Sequence, residues 1–273
     1  MRPDTKKLYD INNAIRYIAD ILIVNGTFVD CPGLLYGKMG IAIFFMHYFR
    51  HTKTDVYKEY ATDLIKEIQN QIHADMSIDY GRGLSGIGVG IEYLAQNGFL
   101  NESTNDILQD IDNKITMSIK PGYDDSCNMN EEIAGAGLYL LWRISNPESH
   151  KKRNVLESLL RQAIDFITPE NVNPDTYNLL ISETHRLNLY PEETAVIIKE
   201  LKKTADRKDE YIISRLTDSQ NKYIYHIDEG KENSYAYSMF DTKHEMGISG
   251  GMAGIGLYLL TWLNSDKSWY NLL

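Results

Sequence analysis

Hydrophobic positions along the chain fall into two alternating patterns. Leu8, Ile11, Ile15, Ile18 and Leu22 recur at three- and four-residue spacing, and this stripe predicts an amphipathic helix that stops at Asn25-Gly26. The run Ile41 to Phe49 is apolar on nearly every side, so it predicts a helix buried all round. The one-faced pattern returns over about Asp55 to Ile72, through Val56, Tyr60, Leu64, Ile65 and Ile68. It returns again with Ile107, Leu108, Ile111, Ile115 and Ile119, where Ser103 to Asp106 reads as a capping box. A fourth one-faced helix opens with Asn146 as cap and Pro147 at its first position, and runs through Val155, Leu159, Leu160 and Ile164. A fifth is expected from Pro191.

The all-round apolar helices share a glycine motif. Three copies are GLLYGKMGIAIFFM from Gly33, GLSGIGVGIEYL from Gly83 and GGMAGIGLYLL from Gly250, and a clipped one is EIAGAGLYLL from Glu132. Their shared glycines are Gly40, Gly86, Gly135 and Gly254, the first three 46 and 49 residues apart. Units that cannot bury their own faces stack into solenoids or close into rings. The alternation therefore predicts an all-α fold with two concentric layers: glycine helices inside, one-faced helices outside. About five hairpins account for the chain if 177–186 is an inner helix without glycines. The stretch 222–240 alternates in the manner of strands and fits a small β-hairpin or a loop over one mouth. A dinucleotide fingerprint at Gly81 to Gly86 is not supported, because no clean strand precedes it and the motif recurs.

Composition narrows the function. With 28 basic and 38 acidic residues the net charge is −10, which argues against a nucleic-acid binder and gives no reason for affinity to anionic lipid. Two cysteines make no disulfide framework. The longest apolar run is far short of the ~20 residues of a span. A cytoplasmic protein with one domain over 1–273 is the expectation.

GLSGIGVGIEYL and GGMAGIGLYLL closely resemble the glycine motifs of the lanthionine synthetase C-like family, over residues 1–145 and about 245–265. The resemblance implies a double-layered α/α toroid. It also implies a history of cyclisation chemistry, in which a peptide cysteine adds to a dehydrated serine or threonine to form a thioether. The family's cyclases activate that thiol with zinc held by two Cys and one His, in loops reading Trp-Cys-x-Gly and Cys-His-Gly. With Gly254 as reference, Cys and His would fall at Ser249 and Gly250; the counterparts are Leu35 and Tyr36, Gly81 and Arg82, and Asn130 and Glu131. None is a Cys or His, so no cofactor is expected. The less favoured alternative assembles zinc from Cys31, Cys127 and His244, without ligand spacing to support it.

The loops before the inner helices should converge on one mouth. They bring Tyr36, Asp79, Arg82, Asp125, Glu131, His244 and Glu245 as candidate binding residues, with Asp75, Asp124, Glu132 and Asp241 nearby. This acidic set suits a basic or amine-bearing peptide, although acids near helix N-termini also complement the helix dipole. His47 reads as a core histidine, and Tyr139 and Tyr258 as equivalent wall residues. The expected function is that of a non-catalytic peptide-binding or accessory protein in lanthipeptide-like maturation, with a peptide or a peptide-modifying enzyme as partner. An incomplete ring would also favour homo-oligomers. The alternative is an active enzyme: a diverged zinc cyclase, or an α/α-barrel carbohydrate enzyme using a carboxylate pair such as Asp79 and Asp125.

Overall fold

The computed structural model describes residues 5–73, 75–119, 129–168, 170–186 and 246–273. These are helical, and no strand occurs among them. The expected hairpin at 222–240, the outer helix from Pro191, and Asp125, Cys127, His244 and Glu245 lie outside the described residues. Among the described residues no helix is long and apolar enough to cross a membrane. The chain divides into two compact units, 1–71 with 209–273, and 72–208.

In the first unit α1 (Thr5–Asn25) is an outer helix, α2 (Lys38–Thr52) an inner one and α3 (Asp55–Gln71) the next outer one. The apolar stripe of α1 is buried at Ile11, Ile15, Ile18 and Leu22. Every residue of α2 from Lys38 to Tyr48 is buried. The last inner helix, α10 (Met252–Asn264), lies beside α2, and α1 packs along α10. The opening helix of the sequence thus serves as outer partner of the last glycine helix, while α3 covers α2.

The second unit repeats the scheme. The inner helices α4 (Leu84–Gln96), α7 (Met129–Ser145) and α9 (Pro174–Arg186) stand side by side, α4 against α7 and α7 against α9. Their outer partners are α6 (Gln109–Ser118), preceded by the single turn α5 (Thr104–Ile107), and α8 (Arg153–Phe166). The inner helix expected over 177–186 is present as α9.

One contact rule governs adjacent inner helices in both units. A Cβ on Gly88 of α4 would overlap the Tyr139 ring of α7, and one on Gly256 of α10 would overlap the Phe44 ring of α2. Gly137 of α7 meets Leu180 of α9 in the same way, at 2.9 Å. Each of these glycines lies two residues after the shared glycine, and Tyr139 and Phe44 lie four residues after theirs. The shared glycines are seats too. Gly40 receives Ile248 from the loop before α10, and Gly135 receives Tyr80 from the loop before α4. The junction between last and first glycine helices is therefore built like the interior junction between α4 and α7. By this register Leu180 marks Thr176 as the counterpart of a shared glycine, four residues earlier.

At the C-terminal ends of α4 and α7 the layers are joined by a buried polar network. Arg143 of α7 is fully buried. Its guanidinium donates to Glu92 of α4 at 2.5 Å, to both carboxylate oxygens of Asp112 in α6 at 3.1 and 2.9 Å, and to Asn105 at 2.9 Å. The Tyr139 hydroxyl donates to Asp112 at 2.6 Å, and the Asn146 amide donates to Glu92 at 2.6 Å. Burial acts to raise the Asp112 carboxyl, but hydrogen bonds from Arg143, Tyr139 and Lys152 carry it below its ordinary value. Asn146 also caps the following turn, Pro147–Lys152, through the Glu148 amide, as the sequence predicts. The capping box expected at Ser103 does not form; the Ser103 hydroxyl donates to Glu148 at 2.9 Å instead. Val56 and Val155, read as core stripe, are exposed. Each lies in the opening turn of its helix, where the apolar stripe has not yet reached the inner layer.

In the first unit His47 of α2 is buried, with Nδ1 3.5 Å from the carboxylate of Asp266, just past α10. Trp269 anchors that segment, fully buried, its indole N–H donating to Thr261 at 3.0 Å.

Two measurements check these interiors. Arg143→Met strands Glu92 without its cation and is expected to cost about 3–5 kcal/mol in urea unfolding. Adding Glu92→Met should restore part of that loss, and a double variant as unstable as the single would contradict the assignment. Burial, opposed by Asp266 and reinforced by Arg50, lowers the His47 pKa to about 4. A folded-state pKa below the unfolded 6.5 favours the neutral imidazole. Its contribution is complete above about pH 6.5 and is lost as pH falls toward 4, by up to about 3 kcal/mol. His47→Gln should flatten the thermal midpoint against pH in that window; an unchanged slope would refute the burial argument.

Candidate functional site

The loops leading into the inner helices are built alike. The Lys38 N–H donates to the Cys31 carbonyl at 2.9 Å, and the Leu84 N–H donates to the Ser77 carbonyl at 2.9 Å. Ala253 donates to Met246 at 3.2 Å, and Met39 to Pro32 at 3.2 Å. Each bond spans seven residues and closes a compact loop. Gly37, Gly83 and Gly251 are then the extended N-cap residues of α2, α4 and α10. All three lie three residues before the shared glycine, and so does Asn173 relative to Thr176. Asn173 precedes α9, and its side chain accepts the Thr176 N–H at 3.4 Å. In the loops before α2 and α10 the residue six before the shared glycine is an anchor: Leu34 and Ile248 are fully buried.

In the first unit the loops before α2 and α10 meet directly. The Ser249 N–H donates to the Leu35 carbonyl at 2.9 Å, and Gly247 lies against the backbone of Leu35 and Tyr36. Tyr36 and Cys31 are both half-buried here. Gly250 has φ +66, a left-handed conformation that side chains rarely adopt. Lys38, at the first position of α2, is buried with its ammonium 2.7 Å from Glu67 of α3. The structure thus places one sequence-predicted binding residue, Tyr36, and one metal candidate, Cys31, in this unit.

The second unit holds Asp79 and Arg82 in the loop before α4 and Glu131 in the first turn of α7. Asp79 is half-buried, and its carboxylate accepts the Arg82 N–H at 2.5 Å, so it shapes its own loop. The Arg82 side chain is exposed. α7 begins one turn earlier relative to its shared glycine than α2, α4 and α10 do, and carries Glu131 and Glu132 in that turn. The Glu131 carboxylate accepts the Asn173 N–H at the head of α9. The Glu132 carboxylate accepts the Ser77 hydroxyl at 2.8 Å, in the loop before α4. Acids in a first helical turn also answer the helix dipole. Burial pushes the Tyr80 phenol of this loop well above its ordinary value, so the ring is neutral. The bond between Glu132 and Ser77, and the loop before α9, were not readable from sequence. The signal that locates the latter is Leu180 seated on Gly137.

The registers allow a test of donor chemistry. Five and four residues before each shared position stand Leu35 and Tyr36, Gly81 and Arg82, Asn130 and Glu131, Asn171 and Val172, and Ser249 and Gly250. The pair before α9 becomes visible only through the structure. Asn171 is engaged in its loop, accepting the Thr168 N–H at 2.6 Å, and Val172 is buried. These residues do not fit a Cys and Cys-His zinc site, and no group of three His, Cys, Asp or Glu among the described residues is placed to hold a metal ion.

A comparison with protein families gives one match. The family described as Lanthionine synthetase C-like protein matches residues 30–189, which contain the glycine helices α2, α4 and α7, the inner helix α9 and the outer helices between them. No curated protein and no solved structure matches the chain. The matched segment is more than half of the sequence and includes both kinds of glycine seat, and on this ground the chain belongs to the lanthionine synthetase C-like family.

Proposed function

We propose that this chain is a non-catalytic member of its family, a peptide-binding accessory protein in the maturation of modified peptides. One observation carries the reading: at the five described inner helices the registered positions hold no Cys or His where the family's cyclases hold zinc. The bound chemistry would be a basic or amine-bearing peptide segment. Support for that comes from the net charge of −10 and from Asp79 in the loop before α4. The partner would be the precursor peptide itself or an enzyme that modifies it, in the cytoplasm. Second copies of the chain are a further partner.

The test has two arms. Zinc in freshly purified protein, measured by mass spectrometry, should be well below one per chain and insensitive to Cys127→Ala and His244→Ala. Binding of a labelled lysine-rich peptide should survive chelator, and should weaken with salt as exposed charge pairs do. Stoichiometric zinc that disappears in either variant would overturn the reading in favour of a zinc cyclase. Turnover of a glycoside substrate would overturn it in favour of a carbohydrate enzyme.

A further inference from the structure

The third glycine helix differs from α2, α4 and α10 at its start. Where those have a glycine N-cap three residues before the shared glycine, α7 has Glu132, and the helix already runs through that position from Met129. A helix that starts early gives up the compact cap and must hold its neighbouring loops by side chains. It does so in both directions. Glu132 reaches back to the Ser77 hydroxyl at 2.8 Å, and Glu131 reaches forward to the Asn173 N–H.

Both receiving residues are structural pivots. Ser77 holds the loop before α4 through two further bonds: its carbonyl accepts the Leu84 N–H at 2.9 Å, and its hydroxyl oxygen accepts the Asp79 N–H at 3.0 Å. Asn173 is the residue from which α9 starts, and its own side chain caps the Thr176 N–H. The two adjacent carboxylates in the first turn of α7 therefore bridge the loops before α4 and α9, each bonded to the residue that fixes that loop's geometry. Donors that contact a carboxylate form the stronger class of hydrogen bond.

We propose that Glu131 and Glu132 act as a two-way clasp that holds the loops before α4 and α9 to the first turn of α7, so that they are positioning residues and not the charges that recognise a peptide. This deepens the reading under Proposed function and rests on it only for the binding arm. The clasp needs acceptor oxygens, which glutamine keeps. Recognition of an ammonium group needs the negative charge, which glutamine lacks.

Two double variants, E131Q/E132Q and E131A/E132A, separate these roles. Amide hydrogen exchange is followed at residues 77–84 and at Asn173 and Thr176, with the α6 and α7 interior as internal reference. Binding of the same lysine-rich peptide is measured in parallel. The alanine variant should exchange at least about tenfold faster at those loop amides, with the reference unchanged, and its peptide affinity should fall in step. The glutamine variant should keep both within about threefold of the parent. Unchanged loop exchange in the alanine variant would overturn the clasp. So would a glutamine variant that loses affinity as fully as alanine while its exchange stays parental, because the charges would then touch the peptide. If the parent binds no peptide, the reading under Proposed function fails, while the exchange arm still decides the clasp.

Discussion

The absent Cβ of a glycine, set against a large side chain of the next inner helix, is the constraint on which this architecture depends. Helices with ordinary side chains at the contact pack at 8–10 Å. Replacing one side by hydrogen lets Tyr139, Phe44 and Leu180 press onto the backbones of α4, α10 and α7. The shared glycines perform the second half of the same task, taking Tyr80 and Ile248 from neighbouring loops. A glycine inside a helix costs roughly 0.5–1 kcal/mol relative to alanine. The loss is offset where a ring fills the space, since burying such a side chain stabilises by about 1.5–3 kcal/mol. Register is a consequence, because a helix shifted by one residue would place a Cβ where a ring must lie.

The two ends of the inner helices then take on different work. The C-terminal ends of α4 and α7 carry charge inside the protein, with Arg143 and Lys152 balancing Glu92 and Asp112. Such a network is stable only when every group is met, and it fixes outer elements to inner ones because its members come from α4, α5, α6 and α7. The N-terminal ends carry loops closed by main-chain bonds. In this chain they hold leucine, tyrosine, arginine, asparagine and glycine at the diagnostic positions, with carboxylates bonded to neighbouring loops.

Much of the fold was legible because apolar periodicity and recurring glycines are local signals. The inner helices α2, α4, α7 and α10 and the outer stripes follow from them, and the family match agrees. Partnership was less legible. Nothing near α1 in sequence says that it covers α10, since that pairing joins the two ends of the chain. α9 lacks glycines, so its register emerges only in three dimensions, from Leu180 seated on Gly137 of α7. Glu92 was a missed signal: a charged residue within an all-round apolar helix demands a buried partner, and Arg143, which reads locally as a basic residue in a last helical turn, supplies it. Ser103 misled for a related reason. Its local capping pattern lost to a long-range acceptor, Glu148. At the candidate site the chain of residues could be placed by register, whereas the bonds of Glu131 and Glu132 depended on loops far apart in sequence.

A double-mutant cycle between Gly256 and Phe44 tests the glycine-seat account most directly, since the two residues come from opposite ends of the chain. Gly256→Ala alone should lower stability in urea by about 1–3 kcal/mol through overpacking against the ring. In a Phe44→Val background, where the ring is gone, the same alanine should cost little, leaving a coupling energy of at least about 1 kcal/mol. Additive effects of the two substitutions would contradict the account, because the glycine would then not be a seat for the ring.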